Sequence, residues 1–202
     1  MKACCDVGEV QDRQRRVLTT VLAINGAMFV GEFAAALLAH STALLADSVD
    51  MLGDTIVYGV SLSVVARGPA WKARVALLKG VIMAAFGVGV LGEAIAKLLT
   101  GVVPGAGLMG GVGVVALAAN GVCALLLWRR QRDDLNMRSA WLCSRNDVAA
   151  NIGVLLAAGG VTLTGSAWPD IVTGLAIAGM FGSAAMDVIR DAWRELRPVG
   201  CH

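Results

Sequence analysis

The chain has 202 residues and a net charge of +2, and 57% of its residues are hydrophobic while only 16% are charged. Soluble domains carry about 25% charged residues, so this chain lacks the polar side chains needed to cover a soluble globule. The same composition excludes a disordered chain, a nucleic-acid-binding module and a secreted disulfide scaffold. We therefore expect an all-α integral membrane protein with little chain outside the bilayer.

Six stretches of the chain are apolar enough to cross a bilayer, which takes roughly 20 residues in a helix. They span residues 17–39, 43–66, 75–99, 107–128, 139–163 and 170–189. The four prolines lie outside these stretches, where a helix can end. The sequence therefore predicts a six-helix transmembrane domain over 17–189, preceded by an N-terminal segment, 1–16, and followed by a short tail, 190–202.

Basic residues are concentrated in alternate segments between the six stretches. Most of the 17 Lys and Arg residues lie in 1–16, 67–74, 129–138 and 190–202, whereas 40–42, 100–106 and 164–169 carry none. Cytoplasmic loops of membrane proteins are enriched in Lys and Arg. This bias predicts that both termini are cytoplasmic, and that the protein is a multi-pass protein of a bacterial inner membrane.

The second stretch carries three aspartates, Asp47, Asp50 and Asp54. Their spacings of three and four residues put them on one face of a helix. An acid at the bilayer centre costs about 2.5–3.5 kcal/mol on the mildest scale, so these side chains must face a cation, an aqueous path or each other. The second helix is therefore predicted to carry a functional site.

The fifth stretch offers Cys143 and Asp147, again four residues apart. At a rise of about 1.5 Å per residue, antiparallel second and fifth helices would bring Asp50 near Asp147 and Asp54 near Cys143. Three carboxylates and a thiolate suit zinc or another d-block cation, whereas Mg²⁺ and Ca²⁺ prefer oxygen ligands only. A hydrogen-bonded network or a proton path without metal is the alternative from spacing alone.

Two further acids, Glu32 and Asp47, are candidates for an accessory role or a proton path, because they are ionisable groups within the predicted helices.

Four other polar residues are expected to have structural roles. Asn120 and Asn151 are predicted to form hydrogen bonds between helices. Glu93 and Lys97 are four residues apart, so we expect them to pair with each other.

At these motifs the sequence resembles a known family. Residues 41–62 resemble the second helix of the cation diffusion facilitators, in which an aspartate is followed by His or Asp three residues later and by Asp four residues after that. Residues 136–153 look like the fifth helix of that family, where His-x-x-x-Asp is usual. Further matches lie in the first helix and at the entry to the sixth: Asn25, Phe29, Glu32 and residues 168–170. The resemblance covers essentially the whole chain and implies proton-coupled export of zinc, cadmium or cobalt by a homodimer that works by alternating access.

Carried over by position, the resemblance implies a transport site made of Asp50, Asp54, Cys143 and Asp147. Cys143 stands where the family usually has histidine, which favours cadmium or another thiophilic ion. Asp50 stands where zinc exporters of the family often have histidine. Because the sequence stops soon after the sixth helix, we expect a short form without the family's cytoplasmic C-terminal domain, in which dimerisation uses the membrane helices.

Four metal-binding side chains lie near the two ends of the chain: Cys4, Cys5, Cys201 and His202. On the cytoplasmic side they could capture metal for the membrane site, since thiolates bind soft cations well. The alternative is that these residues have no role in transport.

The leading hypothesis is a secondary transporter, not an enzyme, with no permanently bound cofactor. Its partners would be divalent metal ions, protons, the lipid bilayer and a second copy of the chain, but no nucleic acid. The alternative is a metal-binding membrane receptor or assembly partner without transport activity. An intramembrane metalloprotease is not expected, because the two histidines, His40 and His202, form no His-Glu-x-x-His motif.

Overall fold

The computed structural model describes residues 2–63, 69–132 and 135–196, and these residues form six α-helices. The helices are α1 (Lys2–Ala39), α2 (Thr42–Ser63), α3 (Pro69–Thr100), α4 (Ala106–Trp128), α5 (Leu135–Thr164) and α6 (Trp168–Leu196). The predicted all-helical class is therefore confirmed for the described residues.

Four of the helices, α1, α3, α5 and α6, extend beyond the predicted stretches by several residues. Hydropathy marks only the part of a helix that suits a bilayer, and a helix can continue into water with polar side chains. The segment 1–16, predicted only to be a polar N-terminal segment, accordingly contributes the first turns of α1 from Lys2 onward. Pro69 stands at the first position of α3, where its missing N–H leaves no hydrogen bond unmade.

The exterior of the protein carries many apolar side chains, and its interior holds several acidic side chains beside an apolar core. Leu38, Leu99 and Leu163 are 76%, 82% and 88% exposed. The acidic residues of α2, in contrast, are buried. Among the described residues, the segments Arg13–Ala39, Ala106–Trp128 and Ala140–Thr164 are long and apolar enough to span a bilayer on their own. The chain is an integral membrane protein, while six spans and cytoplasmic termini stay predictions.

The helices pack as a group of four with a pair beside it. In the group, α1 contacts α2 and α4, and α5 contacts α4 and α2. The pair is α3 and α6; both contact α2, and α6 also contacts α5. The acidic helix α2 therefore lies between the four-helix group and the α3–α6 pair.

At the end of the bundle where α2 begins, a buried ion pair joins the two helices of the α3–α6 pair. Lys97 Nζ of α3 lies 2.6 Å from an Asp170 carboxylate oxygen of α6, and both side chains are buried. The prediction that Lys97 pairs with Glu93 is wrong. The distant Asp170 provides a buried carboxylate in the interior, whereas Glu93 is half-exposed on the same helix.

A glycine allows close contact between α6 and α2. A Cβ atom added at Gly174 would lie 2.7 Å from the Thr42 carbonyl carbon, whereas one added at Gly179 would meet no atom within 4 Å. We expect Gly174→Ala to destabilise the protein by about 1–3 kcal/mol, because the backbone of α2 would have to move.

The matched control is Gly179→Ala on the same helix, which should be neutral or stabilising by up to about 1 kcal/mol. Unfolding in mixed detergent–SDS micelles measures both changes. Equal effects of the two substitutions would contradict this close packing of α2 and α6.

Candidate metal and proton site

The predicted acidic face of α2 is turned into the protein. Asp47, Asp50 and Asp54 are 0%, 5% and 6% exposed. Their spacing of three and four residues puts them on one stripe of the helix, which neighbouring helices cover. The burial avoids the cost of placing three carboxyl groups in lipid.

Asp50 and Asp147 meet between α2 and α5. Their carboxyl groups are within hydrogen-bonding reach of each other, and Asp147 is 3% exposed. Two carboxyl groups can share a hydrogen bond only when one of them carries a proton, because an ionised carboxylate has no donor. The contact agrees with the levels that helix rise predicts for these two residues.

Tyr58, a residue that the sequence analysis did not identify, lies between Asp54 and the part of α5 that carries Cys143. The buried Tyr58 is within hydrogen-bonding reach of Asp54, and its hydroxyl is 3.4 Å from the carbonyl oxygen of Ala140, three residues before Cys143. The Cys143 side chain itself is exposed. A signal for Tyr58 was present, because it lies four residues after Asp54 on the same helical face.

A second group of polar side chains lies around Glu32 of α1. Glu32 and Asp47 are within hydrogen-bonding reach of each other, and both are completely buried. The Asn151 side-chain amide donates to Asp47 Oδ2, and the Asn120 amide donates to the side-chain oxygen of Asn151 over 2.8 Å. The predicted hydrogen bonding of Asn120 and Asn151 between helices is thus confirmed.

The hydrogen bond from Asn120 to Asn151 determines how the Asn151 amide is oriented towards Asp47. Because Asn120 donates to the Asn151 oxygen, Asn151 presents its NH₂ group to Asp47. Asp47 Oδ1 and both Glu32 oxygens have no hydrogen bond to a protein donor. A proton held between the two carboxyl groups would satisfy Asp47 Oδ1 and one of the two Glu32 oxygens.

The four predicted ligands are near one another but not collected around one point. Within residues 13–190, as far as their side chains are described, no group of three or more His, Cys, Asp or Glu is arranged to hold a metal ion. Asp50 and Asp147 form one contact, and Asp54 lies beside Tyr58. The side chains of Cys4 and Cys5, and all of Cys201 and His202, lie outside the described residues.

This arrangement can exchange protons for a cation. Carboxyl groups that hydrogen-bond one another release a proton when a divalent cation binds, because only deprotonated ligands coordinate a metal. A thiol ligand, such as Cys143 could provide, would favour soft or borderline metals such as cadmium or zinc.

Comparison with known proteins supports a transport role for this helical arrangement. The family model described as the cation efflux transmembrane domain matches residues 18–197. This match includes α2 and α5 and all four predicted ligands.

Two curated relatives are similar over part of their length. They are the metal cation efflux system protein CzcD of Cupriavidus metallidurans and the cation efflux system protein CzcD of an Alcaligenes species. Each is 27% identical over 167 residues, which is 77% of this chain and 53% of the relative. The chain thus spans about half the length of the curated relatives it matches.

Proposed function

The chain belongs to the family of cation efflux transmembrane domains, and we propose that it exports divalent transition-metal cations from the cytoplasm in exchange for protons. The substrates of the proposal are zinc, cadmium or cobalt. The names of the two relatives, which are cation efflux proteins, support the direction of transport.

The observation that carries the proposal is the contact between Asp50 and Asp147 in the bundle interior. Two facing carboxyl groups are not required for the stability of a helix bundle, because apolar side chains of similar size would fill the space with a smaller loss of stability. Ionisable groups facing a bundle interior are typical of ion pathways and proton relays.

We assign the transported metal to Asp50 and Asp54 of α2 and to Cys143 and Asp147 of α5. Tyr58 contacts both Asp54 and the Ala140 carbonyl oxygen of α5, three residues before Cys143, and we propose that a movement of α5 relative to α2 brings the four ligands together. Zinc accepts carboxylate oxygen and thiolate sulfur in a tetrahedral set. Tyr58 then holds Asp54 when the metal is absent.

In the proposed cycle, metal enters from the cytoplasm and displaces protons from the ligands, since these must be deprotonated to bind. When the site faces the other side, protons from that side compete for the same ligands and release the metal. The use of one set of groups by both ions couples the two fluxes. The state with protons on the ligands then returns to the cytoplasmic side.

Glu32 and Asp47 are proposed as the proton path beside this site. They lie on α1 and α2, and Asp47 is three residues before Asp50, so the two sites share a helix face. Their oxygens without protein donors make a proton between them the simplest way to satisfy both groups.

The remaining parts of the proposal concern location and partners. We place the protein in a bacterial inner membrane with both termini cytoplasmic, on the charge bias of its loops. A second copy would pack through the membrane helices. The terminal groups Cys4, Cys5, Cys201 and His202 are proposed to capture metal before it enters the site, since thiolates bind soft cations.

The decisive test is metal uptake into proteoliposomes under an imposed pH gradient, with zinc, cadmium and cobalt each supplied alone. The unaltered protein should show gradient-driven flux. Asp54→Asn should lower it by more than about 100-fold, because losing a charged ligand costs more than the 10- to 100-fold loss typical of outer-shell changes.

The control for this test is Glu93→Gln, which removes one acid from the half-exposed surface of α3 and should leave flux unchanged. Metal binding without flux in the unaltered protein would contradict transport and favour a receptor or assembly partner. Normal flux in Asp54→Asn would contradict the assigned site.

Cys143 is expected to determine the choice of metal. Cys143→His should reduce the ratio of cadmium to zinc transport by about tenfold, equivalent to about 1.4 kcal/mol, because imidazole is a harder ligand than a thiolate. Competition assays in the same proteoliposomes measure this ratio. Cys123→Ala, at the buried cysteine of α4, is the control and should keep the ratio; an unchanged ratio in Cys143→His would remove the thiol from the site.

Glu32 and Asp47 are expected to affect proton coupling more than metal binding. Glu32→Gln supplies a permanent donor to Asp47 in place of the shared proton, and Asp47→Asn can still accept from Asn151 through its amide oxygen. Both variants should bind zinc within about threefold of the unaltered protein, less than the loss expected when an outer-shell partner is removed. In both variants, zinc flux should be independent of the imposed pH gradient. Gradient-driven flux at the normal rate in both would exclude this pair from the proton path.

A further inference from the structure

The start of α2 is capped by a residue from another helix. Asp170 of α6 accepts hydrogen bonds from the backbone N–H groups of Thr42 and Ala43, at 2.8 and 3.1 Å. It also accepts from the Ser41 hydroxyl at 2.6 Å, and the Ser41 oxygen in turn accepts from the Leu44 N–H at 3.1 Å. The first three N–H groups of α2, which a helix cannot satisfy by itself, are therefore all bonded.

Lys97 of α3 completes the cluster. Its ammonium group donates to Asp170 at 2.6 Å and to the Thr42 hydroxyl at 3.0 Å. Lys97 is 3% exposed and Asp170 is 0% exposed. The carboxylate thus receives four hydrogen bonds, one of them from a cation, and it lies at the positive end of the α2 dipole.

The packing around this cluster restricts α2 further. At Gly174, one turn after Asp170, α6 lies so close to the Thr42 backbone that no Cβ atom would fit. The Gly105 N–H donates to the Ala39 carbonyl oxygen at 2.8 Å, which joins the start of α4 to the end of α1 at the same place. These contacts oppose both rotation and sliding of α2.

We propose that Asp170 is a positioning residue for transport, which fixes the register and depth of the α2 acids by holding the first turn of that helix. This inference rests on the proposed function, because it assigns a role toward the same metal site. Asp50 lies eight residues after Thr42, or about 12 Å along the helix. A slip of one residue would turn it by about 100° and move it away from Asp147.

The same cluster acts as a fixed joint between α2 and the α3–α6 pair. Separating its members would leave a buried carboxylate, a buried ammonium group and helix N–H groups without partners, which is far more costly than moving helices past apolar side chains. The movements that expose the metal site to either side of the membrane therefore occur away from this end of α2.

The test combines hydrogen–deuterium exchange with zinc kinetics on the full chain in lipid nanodiscs and proteoliposomes. In the unaltered protein, the amides of 42–44 should be protected equally with and without saturating zinc. Asp170→Asn and Lys97→Met should speed exchange of these amides at least about tenfold, as expected for hydrogen bonds worth at least about 1.4 kcal/mol. The zinc KM of the folded protein should rise about tenfold, because the ligands are misplaced.

Three further variants separate positioning from general loss of stability. Lys97→Arg keeps the positive charge. Its amide protection at 42–44 and its zinc KM should therefore stay within about threefold of the unaltered protein, a smaller change than the loss of a hydrogen-bonded partner gives. Glu93→Gln, one turn from Lys97 on α3, should match the unaltered protein. Should Asp170→Asn fail to fold, Ser41→Ala removes two hydrogen bonds of the cluster and should show the same changes to a smaller degree.

Two results would overturn the inference. A zinc KM that stays normal in Asp170→Asn while protection of 42–44 is lost would show that the cap does not position the metal ligands. Zinc-induced loss of protection in the unaltered protein would show that the cluster opens during transport. Failure of the unaltered protein to bind or move any of the three metals would instead overturn the proposed function, and the metal-free exchange comparison would still decide whether Asp170 holds α2.

Discussion

The arrangement of the helices depends on the cost of placing ionisable groups in an apolar environment. Because α2 carries three aspartates on one face, that face cannot point to lipid, and neighbouring helices have to cover it. Glu32 of α1 and Asp147 of α5 lie against this face of α2. Asn120 of α4 donates a hydrogen bond to Asn151 of α5. Many Leu, Val and Ile side chains can then face outward, because the acidic side chains of α2 are collected inside.

The buried carboxyl groups have two different kinds of partner. This difference distinguishes the carboxyl group that holds helices together from those proposed to bind protons and metal. Asp170 has a cation and three neutral donors around it, so its hydrogen bonds are made to groups of the protein itself. Glu32 with Asp47, and Asp50 with Asp147, face other carboxyl groups instead. Such pairs need a proton or a metal ion to compensate their charge, and a group that accepts either one can couple their movements.

Features that depend on local periodicity could be predicted from the sequence. Contacts between residues far apart in the chain could not. The bounds of α4 were predicted to within one residue, because its apolar stretch and its helix coincide. The α2 face and the level of Asp50 with Asp147 follow from helix geometry alone. Lys97 was assigned to Glu93 because residues four apart are the default partners on a helix, yet it bonds Asp170, which is 73 residues away. Nothing local indicates that Asp170 caps another helix.

α2 is held by the Asp170 cap at its first turn and carries the facing carboxyl groups further along. This combination restricts which part of α2 can move. Its first turn is held by Asp170, while its middle carries Asp50 and, one turn further, Asp54 beside Tyr58. A helix held at one end moves least near that end and most at the other, so displacement grows from Asp47 towards Tyr58. Asp54, Tyr58 and Cys143 therefore lie where a change in the distance between α2 and α5 is largest. In the proposed mechanism, gathering the four ligands around a metal would close this half of the site onto the Asp50–Asp147 contact, while the first turn of α2 keeps that contact in register.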